Sequence, residues 1–400
     1  MADVPILVLP AGFRAGAVKA GIKPSGGLDL AVLVADAPCR AAGTFTTNRV
    51  CAAPVRWDRE RLPSGTIRAV VINAGNANAA TGEAGYDDAR ETATLAAGAI
   101  GCPPEAVLVA STGVIGHRLP MHKIQQGTAA ALALATADES GFRAASHAIM
   151  TTDTVPKVIS RRETISGTVV TLLGMAKGAA MIGPRMATML GFLLTDARVT
   201  ESNLQAILSE AVEESFNCIS VEGHTSTNDT VLILASGLAG SSDLSGADLA
   251  AFAEMVRSAC KDLARMIPED GEGSTHTIAI DVEGCLDREE ARSLARAVAD
   301  SPLVKAAIHG ADPNWGRIVS AAGYAGIPFE EHELSLWLNG TALYADGVPL
   351  PFDAPAVSAH LRADRRTHIR LGFTRGSASI RFWTCDLTAE YIRLNADYTT

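Results

Sequence analysis

Apolar residues fall along this chain in two rhythms. Short runs rich in β-branched side chains recur at LAVLVA (30–35), IRAVVINA (67–74), AVLVAST (106–112), TVVTLLGMA (168–176), DTVLILAS (229–236) and HTIAIDVEG (276–284). Runs of this length, bounded by turn residues, predict buried strands. Other stretches keep helical spacing. In ESNLQAILSEAVEESF, which starts at 201, Leu204, Ile207, Leu208 and Val212 share one face; ADLAAFAEMVRSACKDLARMI from 247 and REEARSLARAVAD from 288 follow the same rule. Strands interleaved with amphipathic helices predict an α/β (α+β) chain, layered as a sandwich of sheets and helices. The order of the strands is not legible at this level.

Composition adds bounds to that picture. A length of 400 residues exceeds one ordinary core and predicts two domains or one large intertwined unit. The 48% apolar content, 20% charge and 36 glycines fit a globular chain. A formal net charge of −10 leaves no basic patch able to replace phosphate counterions, so nucleic acid is not an expected partner. The longest apolar runs, ILVL near the start and MLGFLL in the middle, fall far short of the ~20 residues of a spanning helix. The first 20 residues carry no basic segment followed by a long apolar stretch, so no secretory signal is expected. Seven cysteines, with no C-x-x-C pair, read as small buried hydrophobes in a reducing, cytoplasmic compartment.

Candidate chemistry lies in clusters of small polar residues that interrupt the apolar rhythm. They are NAGNANAATG (73–82), STGVIG (111–116), TTDTVPK (151–157), EGHTSTNDT (222–230), DGEGST (270–275), HGADPNWGR (309–317) and the terminal NADYTT (395–400). Singly, each is an ordinary turn or cap. Together they suggest a pocket assembled from distant segments. Phosphate-loop, dinucleotide-binding, zinc-hydrolase and serine-elbow motifs are missing, and the nine histidines show no ligand spacing; neither a metal nor a cofactor is expected. The run GMAKGAAMIGPRMATMLGFLLTDA places Thr188 between Ala187 and Met189 in a setting with no obvious use for a hydroxyl. Two readings stand open: Thr188 begins a buried strand or helix, or it is a nucleophile. In the second, cutting the chain before Thr188 frees an α-amine that titrates near neutrality and serves as its own base. The glycine-rich bend ahead of it is then the natural boundary along the chain.

KGAAMIGPRMATMLGFLLTDA resembles the processing site of the ornithine acetyltransferase family, also called bifunctional glutamate N-acetyltransferase and amino-acid acetyltransferase. The resemblance continues in order through AGFRAGAVKAGIK, AAGTFTTNRVCAAPV, NAGNANAATG, VLVASTGVIG, TTDTVPK, SFNCISVEGHTSTNDT, DGEGST, ADPNWGRI and LNADYTT, so it covers essentially the whole chain. It implies a self-cleaving fold of the N-terminal-threonine-nucleophile type, similar to DmpA-like proteins. It implies cleavage between Ala187 and Thr188 into an alpha chain, 1–187, and a beta chain, 188–400, which stay associated as a heterotetramer of two alpha and two beta. It implies Thr188 as nucleophile and Thr112 with Gly113 as oxyanion hole. Substrate contacts are implied at Thr154, Lys177, Thr188, Glu272, Asn395 and Thr400. Lys177 suits a carboxylate and Glu272 an ammonium. The implied reaction carries acetyl from N-acetylornithine to glutamate in arginine biosynthesis, with acetyl-CoA a candidate co-substrate. For the terminal residues the implied place at the substrate calls for apolar anchoring, which FWTCDLTAEYIRL just upstream offers.

Some positions depart from the family pattern. Asp is usual at Glu222 and His224, Lys at His276, and a Ser and a Gly at Ala179 and Ala180. Replacing a lysine close to Glu272 by His276 alters local charge, which bears on acceptor choice and rate. Two other readings differ in class: an amidohydrolase or aminopeptidase of similar fold, in which water takes the acyl group, and a non-catalytic relative.

Overall fold

The computed structural model describes residues 7–183 and 189–397. Thr188, with Ala187 before it, and Thr400 lie outside the described residues. The chain forms two compact units, one reaching Asn217 and including Thr225–Ile267, the other comprising Cys218–His224 and the chain from Pro268 onward.

One eight-stranded sheet organises the first unit. Its strands are β1 (Phe13–Val18), β2 (Leu30–Phe45), β3 (Ser64–Asn76), β4 (Val107–Val114), β5 (Lys157–Ile165), β6 (Thr168–Lys177), β7 (Leu190–Ala197) and β8 (Thr230–Ala239). They run in the order β4-β3-β2-β8-β7-β6-β5, with β1 added on β2. Only β3 with β4 and β7 with β8 are parallel. The long strand β2 keeps β3 on one side, with irregularities around Cys39, and changes its other neighbour: Leu30–Ala35 pair with β1, and Arg40–Phe45 pair with β8.

Alternation along β2 shows how the layers arise, because successive strand side chains point to opposite faces. Leu30, Val32 and Val34 pack with Trp57, Ala89, Ala93 and Val109 under the helices Ala53–Arg59, Gly82–Ile100 and Met121–Ala133. Ala31, Leu33 and Ala35 enter a different cluster. That cluster joins Ile72 and Leu108 to Met175, Phe192, Leu194 and Leu232, so the two arms of the sheet share one apolar layer. On the other arm, the helix Glu201–Glu213 buries Leu204, Ile207, Leu208 and Val212 and starts at Thr200, whose side chain accepts from the Asn203 amide. Asp287 caps the helix Arg288–Ala299 in the same manner through the Glu290 amide.

The second unit carries a six-stranded sheet of β9 (Thr277–Cys285), β10 (Leu334–Leu338), β11 (Thr341–Ala345), β12 (Val348–Pro349), β13 (Arg366–Phe373) and β14 (Ala378–Cys385), in the order β12-β11-β10-β13-β9-β14. Leu294, Val298, Val304, Ile308 and Ile318 from three helices close over Ile278, Ile280, Leu336, Leu371 and Phe382.

All six runs expected as strands are strands, and the three amphipathic stretches are helices. The bend before Thr188 does not separate compact units. It connects β6 to β7, which pair antiparallel with Lys177 opposite Leu190, because β7 and β8 complete the same sheet as β1–β6. The seven cysteines are free thiols; five are buried, and burial pushes Cys39 and Cys260 up to about 12, which makes them poor nucleophiles.

Candidate active site

In the first unit four of the polar clusters meet. The parallel ladder of β3 and β4 ends at Gly75 opposite Gly113, with an irregularity at Asn76 that lets Asn76 face both Thr112 and Val114. Gly113 takes φ +131°, and a Cβ there would stand 2.3 Å from the Gly75 carbonyl carbon and 2.5 Å from the Asn76 nitrogen. Only glycine fits so close an approach of two backbones. Below the irregularity, Ser111 donates to the Asn73 side chain at 2.6 Å, and the Asn73 amide donates to the Asn76 carbonyl at 2.8 Å.

Thr112 is buried, and its hydroxyl accepts from Lys177 Nζ at 3.3 Å. A hydroxyl that accepts from a lysine keeps its own proton for donation elsewhere. Lys177, at the end of β6, also donates to Thr151 Oγ1 at 2.7 Å and lies 4.0 Å from Asp153. Asp153 in turn accepts from Lys157 Nζ at 2.7 Å and from the Gly178 amide at 2.6 Å. Burial alone would raise the Asp153 carboxyl, but the Lys177 and Lys157 ammonium groups outweigh it and hold the acid at about 2. Thr154, next to Asp153, is exposed.

Lys23 stands close by. A Cβ on Gly75 would lie 3.1 Å from its Cγ, and its ammonium donates to the carbonyls of Leu28 and Ala148 at 2.6 and 2.9 Å. Burial lowers Lys23 to about 8; Asp29 and Asp153 oppose that and the positive charge of Lys177 adds to it. Buried Asp29 grips this loop by accepting from the amides of Ala20, Ile22 and Lys23.

The second unit brings together two other expected residues. Asn395 lies in the helix Ala389–Asp397, and its side-chain amide donates to Glu272 Oε2 at 2.8 Å. No side chain of that helix is fully buried, so the apolar anchoring expected of FWTCDLTAEYIRL does not come chiefly from its helical part. The anchor is instead β14, where Phe382 is fully buried, and the Thr388 hydroxyl, which donates to the Gly273 carbonyl at 2.8 Å. His276 turns to Asp386, 3.4 Å from Nδ1, and to the Leu361 carbonyl, 3.0 Å from Nε2. Burial pushes Tyr391 up to about 12, with help from the charges of Glu222 and Glu272. Among the described residues no group of three or more His, Cys, Asp or Glu is placed to hold a metal ion. Sequence reasoning gave no role to Lys23, Asp153, Lys157, Asn228 or Asp229, although each sat inside a motif already singled out; the signal was a charged or amide side chain in a cluster of small polar residues between apolar strands.

A proton-bearing hydroxyl backed by a lysine, beside a backbone that only glycine can form, is equipment for acyl transfer. The profile of the ArgJ family matches residues 14–400. An arginine biosynthesis bifunctional protein ArgJ from Thermosynechococcus vestitus is 45% identical over 97% of this chain and 96% of its own length. One from Symbiobacterium thermophilum is 47% identical over 98% of both. The crystal structure of the Bacillus halodurans arginine biosynthesis bifunctional protein argJ, 38% identical, matches 52% of this chain and 98% of its own with a TM-score of 0.50. The chain belongs to the ArgJ family. It is an ornithine acetyltransferase of arginine biosynthesis, and among its described residues no helix is long and apolar enough to cross a membrane.

Proposed function

We propose that the chain cuts itself between Ala187 and Thr188 and then moves acetyl from N2-acetyl-L-ornithine to L-glutamate through an ester on Thr188. The freed α-amine of Thr188 takes the proton of its own hydroxyl, and the oxygen attacks the acetyl carbon. The oxygen that becomes negative is met by the Thr112 hydroxyl and the Gly113 amide. The C–N bond breaks, the proton passes to the leaving amine, and ornithine departs. The amine of glutamate then attacks the ester, N-acetylglutamate leaves, and the Thr188 hydroxyl is restored. Lys177, Thr154, Glu272, Asn395 and Thr400 are the residues that serve the substrates. Pieces 1–187 and 188–400 stay associated as a cytoplasmic heterotetramer. The exchange needs no cofactor, and acetyl-CoA is a second donor to be assayed beside N-acetylornithine.

What supports this reading above all is the buried Thr112 hydroxyl, loaded by Lys177 beside the glycine-only backbone of Gly113. Mass spectrometry of the purified wild type should find the two pieces, and Thr188→Ala should stay whole and transfer nothing. Thr112→Ala should lower kcat by roughly 10² to 10³, the cost of one oxyanion donor. Acetate released without glutamate would make the enzyme a hydrolase, and a fully active uncut chain would remove the self-cleavage.

A further inference from the structure

Two side chains that the transfer mechanism does not use, Asn228 and Asp229, occupy the junction of β2, β7 and β8. Both are buried. Asn228 Nδ2 donates to the carbonyls of Ala77 and Ser111, at 2.6 and 2.8 Å, and Ser111 immediately precedes Thr112. Asp229 Oδ1 accepts from the amide of Met189 at 2.9 Å, while the Met189 carbonyl accepts from the Thr230 amide at 3.2 Å. Met189, the residue after Thr188, is thus held on both sides of its backbone where β7 and β8 start in parallel, Leu190 opposite Thr230. The Asp229 carbonyl accepts from the Thr46 amide at 2.9 Å, which ties the junction to the end of β2.

We propose that Asn228 and Asp229 are positioning residues that set the distance between the Thr112–Gly113 donors and Thr188, Asn228 holding the donor strand and Asp229 holding the residue after the nucleophile. The inference rests on the proposed ester mechanism. Two adjacent residues in one rigid junction bind the two strands whose relative placement decides whether an attacking oxygen and an oxyanion hole face the same carbonyl. Burial pushes the Asp229 carboxyl well above the ordinary range, against the Met189 N–H, the charge of Lys177 and the Thr46 side chain. Its Oδ2 is buried, with no hydrogen-bond partner among the described residues. An asparagine keeps the acceptor for the Met189 amide on a side chain of nearly the same shape.

The test compares D229N, D229A and N228A with wild type by rate of self-cleavage, kcat and KM for N-acetylornithine, and melting temperature. D229A and N228A should slow cleavage and kcat by about tenfold or more with KM within about threefold, whereas D229N should stay within about threefold of wild type in both. If D229A fails to give a cooperative melt, D229L, which is close in volume but has no acceptor for the Met189 amide, takes its place with the same expectation. Wild-type rates in D229A and N228A overturn the proposal. So does D229N as slow as D229A, which would make charge the requirement, or a raised KM with unchanged kcat, which would make them binding residues. A wild type that transfers no acetyl overturns the ester mechanism instead.

Discussion

Lys157 and Asp153 form an ion pair with almost no access to water, side-chain exposures of 1% and 0%, and Lys177 shares the same carboxylate from 4.0 Å. Removing one partner of a buried pair strands the other, typically at 3–5 kcal/mol. Because Lys177 remains beside Asp153, Lys157→Met should cost about 3 kcal/mol, at the lower end, in urea denaturation. The sign with pH follows from the depressed carboxyl. Asp153 contributes its stability above the unfolded value of 3.8 and loses it as pH falls toward about 2. With Lys157 gone that hold weakens, so acid unfolding should begin at higher pH in the variant; an unchanged acid limb would show that the pair carries none of the acid stability. At this scale the chain was partly legible. Thr112, Gly113 and Lys177 were marked by the family motifs, but the pairing of Lys177 with Thr112, 65 residues away in sequence, comes from strand placement that no local pattern encodes. The same holds for Asp229, whose role depends on the parallel start of β7 and β8.

Elements were most legible where burial on both faces leaves a continuous apolar run, as in Thr168–Lys177 and Thr230–Ala239. Strands with mixed faces gave weaker signals. Lys157–Ile165, KVISRRETI, is an edge strand of its sheet and exposes Arg162 and Glu163 while burying Lys157; Ala378–Cys385 alternates Ile380, Phe382 and Thr384 inward with Arg381 outward. Gly82–Ile100 has alanine and small polar residues on its buried side, so its hydrophobic contrast is low. Two glycines in these elements have opposite prospects. Gly113→Ala meets backbone at 2.3 Å and a disfavoured φ, and should both abolish transfer and lower stability by at least about 2 kcal/mol. Gly98→Ala, in an exposed turn of the helix with nothing within 4 Å of the new Cβ, should raise stability by about 0.5–1 kcal/mol and leave kcat alone. Parallel urea curves for the two variants decide both; a neutral Gly113→Ala would mean that the end of β3 can retreat.

For the whole molecule, the layered α/β character was readable from the alternation of periods, while the division into units was not. The glycine-rich bend before Thr188 stands out in sequence because small residues cluster there. It nevertheless joins neighbouring strands, and the real divisions fall at places such as Ile267 and Pro268, inside the helix Gly246–Glu269. Pro268 marks the end of the amphipathic pattern there, but a lone proline near the end of a long helix reads as a helix stop rather than as a division between units.

The place of β7 and β8, filled in between β2 and β6, fixes the order of events in the life of this enzyme. Under the proposed cut both strands belong to the second piece, yet their hydrogen-bonding partners on either side belong to the first. Neither piece can complete the eight-stranded sheet alone: one would be born with a gap two strands wide and the other with a parallel pair bare along both edges, each an invitation to pair with a stranger. Residues 1–187 and 188–400 expressed as separate proteins should therefore aggregate, and purified pieces mixed after denaturation should regain little activity, whereas the uncut Thr188→Ala chain should refold. Efficient reconstitution from separate pieces would overturn this. Under the proposed cut, the peptide bond before Thr188 would act as a temporary tether: it would keep both pieces together until the sheet is complete, and its loss would make maturation a one-way step.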